Sequence, residues 1–162
     1  MKQIKYIFFI LCCFIITGCD NSEQEIRTKI IDFHKNYKFD YNSINEDFLS
    51  IELQESILKM KVKVTLDDDI SKAQVNSEIK PFKLNKDLLI IKTPSFDSIK
   101  ISNIKIENDT AIVHIFYFKK NKKWQNYIEM INENGWKINN VFFDGENKKG
   151  KNTQAIIKKY LD

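Results

Sequence analysis

Apolar residues change rhythm four times along this chain. Tyr6 to Ile16 is an unbroken apolar run. From Glu25 the spacing turns helical: Ile26, Ile30, Phe33 and Tyr37 follow at offsets of 4, 3 and 4, one face of an amphipathic helix. Ser22, with Glu25 three residues on, reads as a capping box at its start, and the helix is expected to end near Lys38. A second helical face follows in Leu49, Leu53, Ile57, Met60 and Val64. Ser43 or Asn45 is the expected cap, and Glu46 and Asp47 suit the positive end of its dipole. Val62, Val64 and Thr65 are β-branched and weaken its last turn. Asp67-Asp68-Asp69 then closes the helix or opens a third short one through Ile70 and Ala73.

Pro81 and Pro94 break regularity over residues 76–98, with the apolar stretch Asp87–Ile91 between them as a small strand or a loop. From Ser98 the period becomes two. Ile99 and Ile101 alternate, then Ile104 and Ile106 resume on the opposite parity, so a bulge near Ser102-Asn103 is expected. A turn at Glu107–Thr110 leads to a strand over Ala111–Phe118, and a turn at Lys120–Lys122 to a strand over Trp124–Ile131. Asn132–Gly135 carries an Asn-Gly hairpin signal ahead of a last strand, Trp136–Phe143. Asn152-Thr153 and Ala155–Leu161 predict a short terminal helix. The expected class is α+β: N-terminal helices packed on a curved antiparallel meander of about four strands, with a short C-terminal helix.

The first apolar run has a different purpose. Its eleven residues follow the positive segment Met1–Lys5 and rise about 16 Å as a helix, well short of a roughly 30 Å hydrocarbon core. It reads as a secretion signal, not a membrane span. Ile16-Thr17-Gly18-Cys19 resembles a bacterial lipobox: an aliphatic residue, two small ones, then a Cys. That resemblance implies a diacylglyceryl group on the Cys19 thiol, cleavage after Gly18, and two or three acyl chains (a palmitate among them), enough for stable anchoring. Residues 1–18 are thus expected as signal peptide, 19–24 as a lipid-anchored polar tether, and 25–162 as one α+β domain. Asp20 occupies the position that favours inner-membrane retention in enterobacteria; inner or outer membrane, periplasmic or surface-facing, is left open.

Composition narrows the chemistry. Hydrophobic content of 43 % with 30 % charged residues is that of a globular chain. Loss of Lys2 and Lys5 with the signal brings the net charge from +4 to +2, with both signs interspersed. The dense basic stretches at Lys119–Lys123 and Lys148–Lys151 read as solvated turns, so no nucleic-acid partner is expected. All three cysteines, Cys12, Cys13 and Cys19, lie at the N-terminus, which removes Cys-based metal sites and nucleophiles from the domain. Asp67-Asp68-Asp69 lacks the alternating ligands and Gly of a calcium loop. Neither a metal nor a cofactor is expected.

Three features together resemble the cone-shaped nuclear-transport-factor-2-like (cystatin-like) superfamily, and within it a family of small bacterial lipoproteins of uncharacterised function. They are the helix ending near Phe33-His34-Lys35-Asn36-Tyr37, the Pro81-Phe82 region before the sheet, and Asn134-Gly135-Trp136-Lys137-Ile138-Asn139-Asn140-Val141 with its trailing helix. The resemblance spans most of residues 23–162 and implies a fold and a location, not an activity. Enzymes of that superfamily carry a His–carboxylate pair on the concave sheet face. His114, sharing parity with Ile112, Phe116 and Phe118, is the one strand-borne candidate for such a cavity; Glu129 and Asp32 are its possible carboxylates. His34 follows the core-facing Phe33 at the edge of the first helical face. No phosphate loop or nucleophile elbow is present, and no catalytic set is expected. The expected function is that of a membrane-anchored, non-catalytic module binding another envelope protein. The alternatives are an immunity protein neutralising a secreted toxin, or a small-molecule binder or enzyme with a cavity beside His114.

Overall fold

The computed structural model describes residues 21–37, 44–73, 89, 96–143 and 152–162, with side chains of the 51–73 helix followed as far as Asp67. The signal segment, Cys19, Ser43, Pro81-Phe82, Pro94 and all of Asp87–Ile91 except the buried Leu89 lie outside them. Two compact units, Met1–Lys35 and Asn36–Asp162, are taken in turn.

Helix α1 occupies residues 21–36 and buries the expected face, with Ile26 and Ile30 fully enclosed and Phe33 nearly so. Ser22 lies inside this helix and is not its cap, and residues 21–24 are helical where a polar tether was expected. Glu23 and Arg27, four apart, close a forked ion pair at 2.6 and 3.0 Å that adds a few tenths of a kcal/mol, about the usual value for such pairs. His34 is buried, and its Nδ1 hydrogen bonds the Ile30 carbonyl at 2.7 Å. Burial disfavours the charged ring and pushes its pKa down to about 4, against the smaller opposing effect of that bond.

In the second unit Asn45 caps a 3-10 turn, Glu46–Phe48, by accepting from Asp47 N–H. Helix α2 then runs unbroken over Ile51–Ala73, so the three aspartates neither close it nor open a new helix. Its cap is Ser50, whose Oγ accepts from Leu53 N–H at 3.1 Å, and not Ser43 or Asn45. A carboxylate oxygen of Glu133 receives Ile51 N–H at 3.1 Å. Leu53, Ile57 and Met60 form the buried face, with Leu49 just ahead of the helix and Val64 half-buried.

Four antiparallel strands follow in sequence order, β1 (Ser98–Glu107), β2 (Thr110–Lys119), β3 (Lys122–Asn132) and β4 (Trp136–Phe143). The expected bulge exists: Ile101 faces Ile115 and Asn103 faces His114, so Ser102 is the extra residue, and its hydroxyl donates to the His114 carbonyl. The β3–β4 loop holds three residues, not an Asn-Gly pair alone. Asn134 and Gly135 both take positive φ (58° and 117°), which Asn and Gly tolerate. The core face carries Ala111, Val113, Ile115 and Tyr117 from β2, Ile128 and Met130 from β3, and Trp136, Ile138, Val141 and Phe143 from β4.

That last set changes parity because β4 has its own bulge. Glu129 pairs with Asn140 and Met130 with Ile138, leaving Asn139 as the extra residue. Both asparagines are therefore buried, and both are used. Asn139 accepts from Ser50 Oγ at 2.8 Å and donates to Glu129 at 2.6 Å. Asn140 Oδ1 accepts from Val141 N–H and, at 3.3 Å, from the Gln154 amide at the start of helix α3 (Thr153–Leu161), which Asn152 caps as expected. The far end of α3 is held to α2, where Lys63 Nζ donates to the Leu161 carbonyl at 2.8 Å.

Two outcomes follow from these bonds. Ser50→Ala removes a helix cap and leaves a buried amide oxygen short of a donor, a loss of about 2–4 kcal/mol. Chemical denaturation of Ser50→Ala, Asn139→Ala and the double variant should give a coupling of about 1 kcal/mol or more, since the pair acts as a unit. For His34, the unfolded chain gains a proton near pH 6.5 that the folded one refuses down to about 4. Its stabilising contribution is therefore complete above about pH 6.5 and is lost, by up to about 3 kcal/mol, as pH falls toward 4. Denaturation curves between pH 7 and 4.5 should show that slope, flattened in His34→Gln.

Candidate functional site

Strand alternation sends Ile112, His114, Phe116 and Phe118 to the face of the sheet opposite the core, all half-buried. His114 lies between Asn103 on β1 and Tyr127 on β3, and Tyr127 is in turn paired with Phe142 on β4. Phe116 lies between Lys100 and Gln125, and Phe118 pairs with Lys123. The result is an aromatic row crossing the sheet, with Lys100 and Lys105 of β1 and Lys123 of β3 paired to residues of the same face.

The row is tightly ordered. The His114 and Tyr127 rings stack with centroids 4.3 Å apart and planes 5° from parallel, and Phe116 leans on His114 at 4.5 Å. Lys123 Nζ sits 3.6 Å from the centre of the Phe116 ring, within cation–π range. His114 Nε2 hydrogen bonds the Gln125 amide oxygen at 3.0 Å, with the ring nitrogen as donor.

A general-base histidine needs a carboxylate or comparable acceptor to orient it and stabilise its charged form. Here an amide holds that place. The expected carboxylates are engaged elsewhere: Glu129 accepts from Asn139, and Asp32 lies 3.7 Å from Lys35 on its own helix. Phe116 and Phe118 share the His114 face, as their parity predicts, whereas Trp124 pairs with Tyr117 and stacks on it on the core side, and Trp136 is buried among the core residues.

Other features are modest. Among the described residues no group of three or more His, Cys, Asp or Glu is placed to hold a metal. A cleft of about 20 Å³ between the 3-10 turn and α2, lined by Ile44, Leu49, Ile57 and Leu58 among others, has room for a water and no more. Sequence reading missed two buried donors on the core side of β3, Trp124 Nε1 and Asn126 Nδ2, which have no acceptor among the described residues. Their period-two spacing was the only signal available. No helix among the described residues is long and apolar enough to cross a membrane.

If His114 serves packing, its shape matters and its nitrogens do not. His114→Phe keeps a ring on Tyr127 and should stay within about 1 kcal/mol of the parent, while His114→Ala loses a stacked pair and its burial, about 1–2 kcal/mol. Thermal denaturation of the two variants decides it, and equal losses would point to the imidazole nitrogens. Set against protein-family models, curated proteins and solved structures, the chain finds no match in any of the three.

Proposed function

We propose that this chain is a membrane-anchored bacterial lipoprotein that works as a non-catalytic protein-binding module of the cell envelope, with the outer face of its sheet as the binding surface. The anchor reading rests on Ile16-Thr17-Gly18-Cys19 at the end of an apolar run too short to span a bilayer. The binding reading rests on one observation: an ordered aromatic row, His114–Tyr127–Phe116, lies half-exposed and rimmed by lysines on the side of the sheet away from the core. Rigid rings with few rotatable bonds give large contact area at low entropic cost and dominate protein interfaces. Lysines around them favour a partner with acidic groups at the rim.

A photo-reactive residue in place of Lys100 or Phe142, in the full-length chain in growing cells, should give one discrete protein adduct. The same residue at Glu52 should not give that adduct, and Tyr127→Ala should abolish it. An adduct found in the producing strain alone identifies a resident envelope partner; one that needs an added competitor strain identifies a toxin. Adducts absent from the sheet face, or equal from both faces, would remove the binding reading. Radiolabelled palmitate should enter the parent and not Cys19→Ser, and label persisting in that variant would remove the anchor reading.

A further inference from the structure

Helix α2 is apolar on two opposite sides. Leu53, Ile57 and Met60 face the core, while Ile51, Leu58, Val62 and Leu66 are 63, 61, 53 and 56 % exposed. At 100° per residue these four fall within one quadrant of the helix, directly across from the buried face. With Glu55 and Thr65 they complete a 4-3 repeat, Ile51, Glu55, Leu58, Val62 and Thr65, which is the seam of a two-helix coiled coil. A surface helix ordinarily turns charge to that side.

The charges around the seam are sorted along the helix. Glu52 and Glu55 lie in its first turns, Lys59, Lys61 and Lys63 in its middle and Asp67-Asp68-Asp69 beyond them, and Glu55 lies 3.8 Å from Lys59 of its own helix. Two parallel copies would set Glu55 on Glu55 and lysine on lysine. Two antiparallel copies, aligned so that Ile51 meets Val62 and Glu55 meets Leu58, bring Glu52 of each against Lys59 and Lys61 of the other. We propose that this face is a homotypic contact, an antiparallel α2–α2 pair between two copies of the chain. One helix pair offers less than the about 800 Å² per partner of a stable complex. The contact is therefore weak in dilute solution and fills when copies share a membrane, a point that rests on the anchor reading. It is independent of the sheet face.

Two tagged full-length variants, Ile51→Cys and Val62→Cys, co-expressed and oxidised in membranes, test the register. A disulfide between the two different tags is expected, with little between like tags, because positions 51 and 51 lie some eleven residues, or about 16 Å, apart in this register. Like-tag disulfides at both positions would show a parallel pair, and none at any position would show no pair; either overturns the proposal. Glu52→Lys and Lys59→Glu should each cut the mixed disulfide severalfold, and the combined double reversal should restore it. Failure of the double reversal to restore it would overturn the charge register. Labelled palmitate measured on the same samples separates loss of pairing from loss of anchoring, and circular dichroism separates it from loss of folding.

Discussion

A bulge in β4 governs how the helices of the second unit attach to the sheet. By inserting Asn139, it turns two consecutive asparagines inward, and buried amides must be satisfied or they cost several kcal/mol. Their partners sit at the starts of both helices: Ser50, which caps α2, and Gln154 in the first turn of α3. Leucines and isoleucines between the layers supply most of the driving force, but apolar burial has no direction. Direction comes from this short polar chain, Leu53 N–H to Ser50 to Asn139 to Glu129. The same bulge restores parity, so that Trp136 and Ile138 on one side of it and Val141 and Phe143 on the other all reach the core.

The bulge also decides what the opposite face can do. Glu129 is the carboxylate nearest in register to His114, two residue pairs along β2 and β3, and its Oε1 is occupied by Asn139. A group that would convert an aromatic row into an acid–base site is thereby assigned to holding β4. What remains at His114 is an amide, two rings and a lysine lying over one of them.

Much of this was legible in the sequence because it depends on period. Buried Ile26, Ile30, Phe33, Leu53, Ile57 and Met60 follow from helical spacing, and the break in parity between Ile101 and Ile104 announces the Ser102 bulge. The β4 bulge gave no such sign: Ile138-Asn139-Asn140-Val141 reads equally well as one polar step on an even strand, since asparagine fits either face. Ser50 was hidden for a related reason. Asn45 with Glu46-Asp47 forms a better local start signal, and it does cap something, the 3-10 turn that precedes the true helix. The persistence of α2 through Asp67–Asp69 was likewise unreadable, since three acids near a helix end oppose its dipole and only packing elsewhere offsets them.

The exposed side of α2 raises a different question: why a chain should keep four apolar residues in water when charged ones would serve the helix as well. The fold does not need them, since the buried face alone meets the core. Solubility is served worse by them. A use that asks for only a small patch resolves the conflict. On the anchor reading proposed above, copies of the chain share one membrane surface. Confinement to a plane raises the effective concentration of neighbours and converts a contact too small to persist in solution into one that is populated. On this view the patch is sized by the membrane: large enough to pair anchored copies, and small enough that the chain stays monomeric wherever it is not anchored.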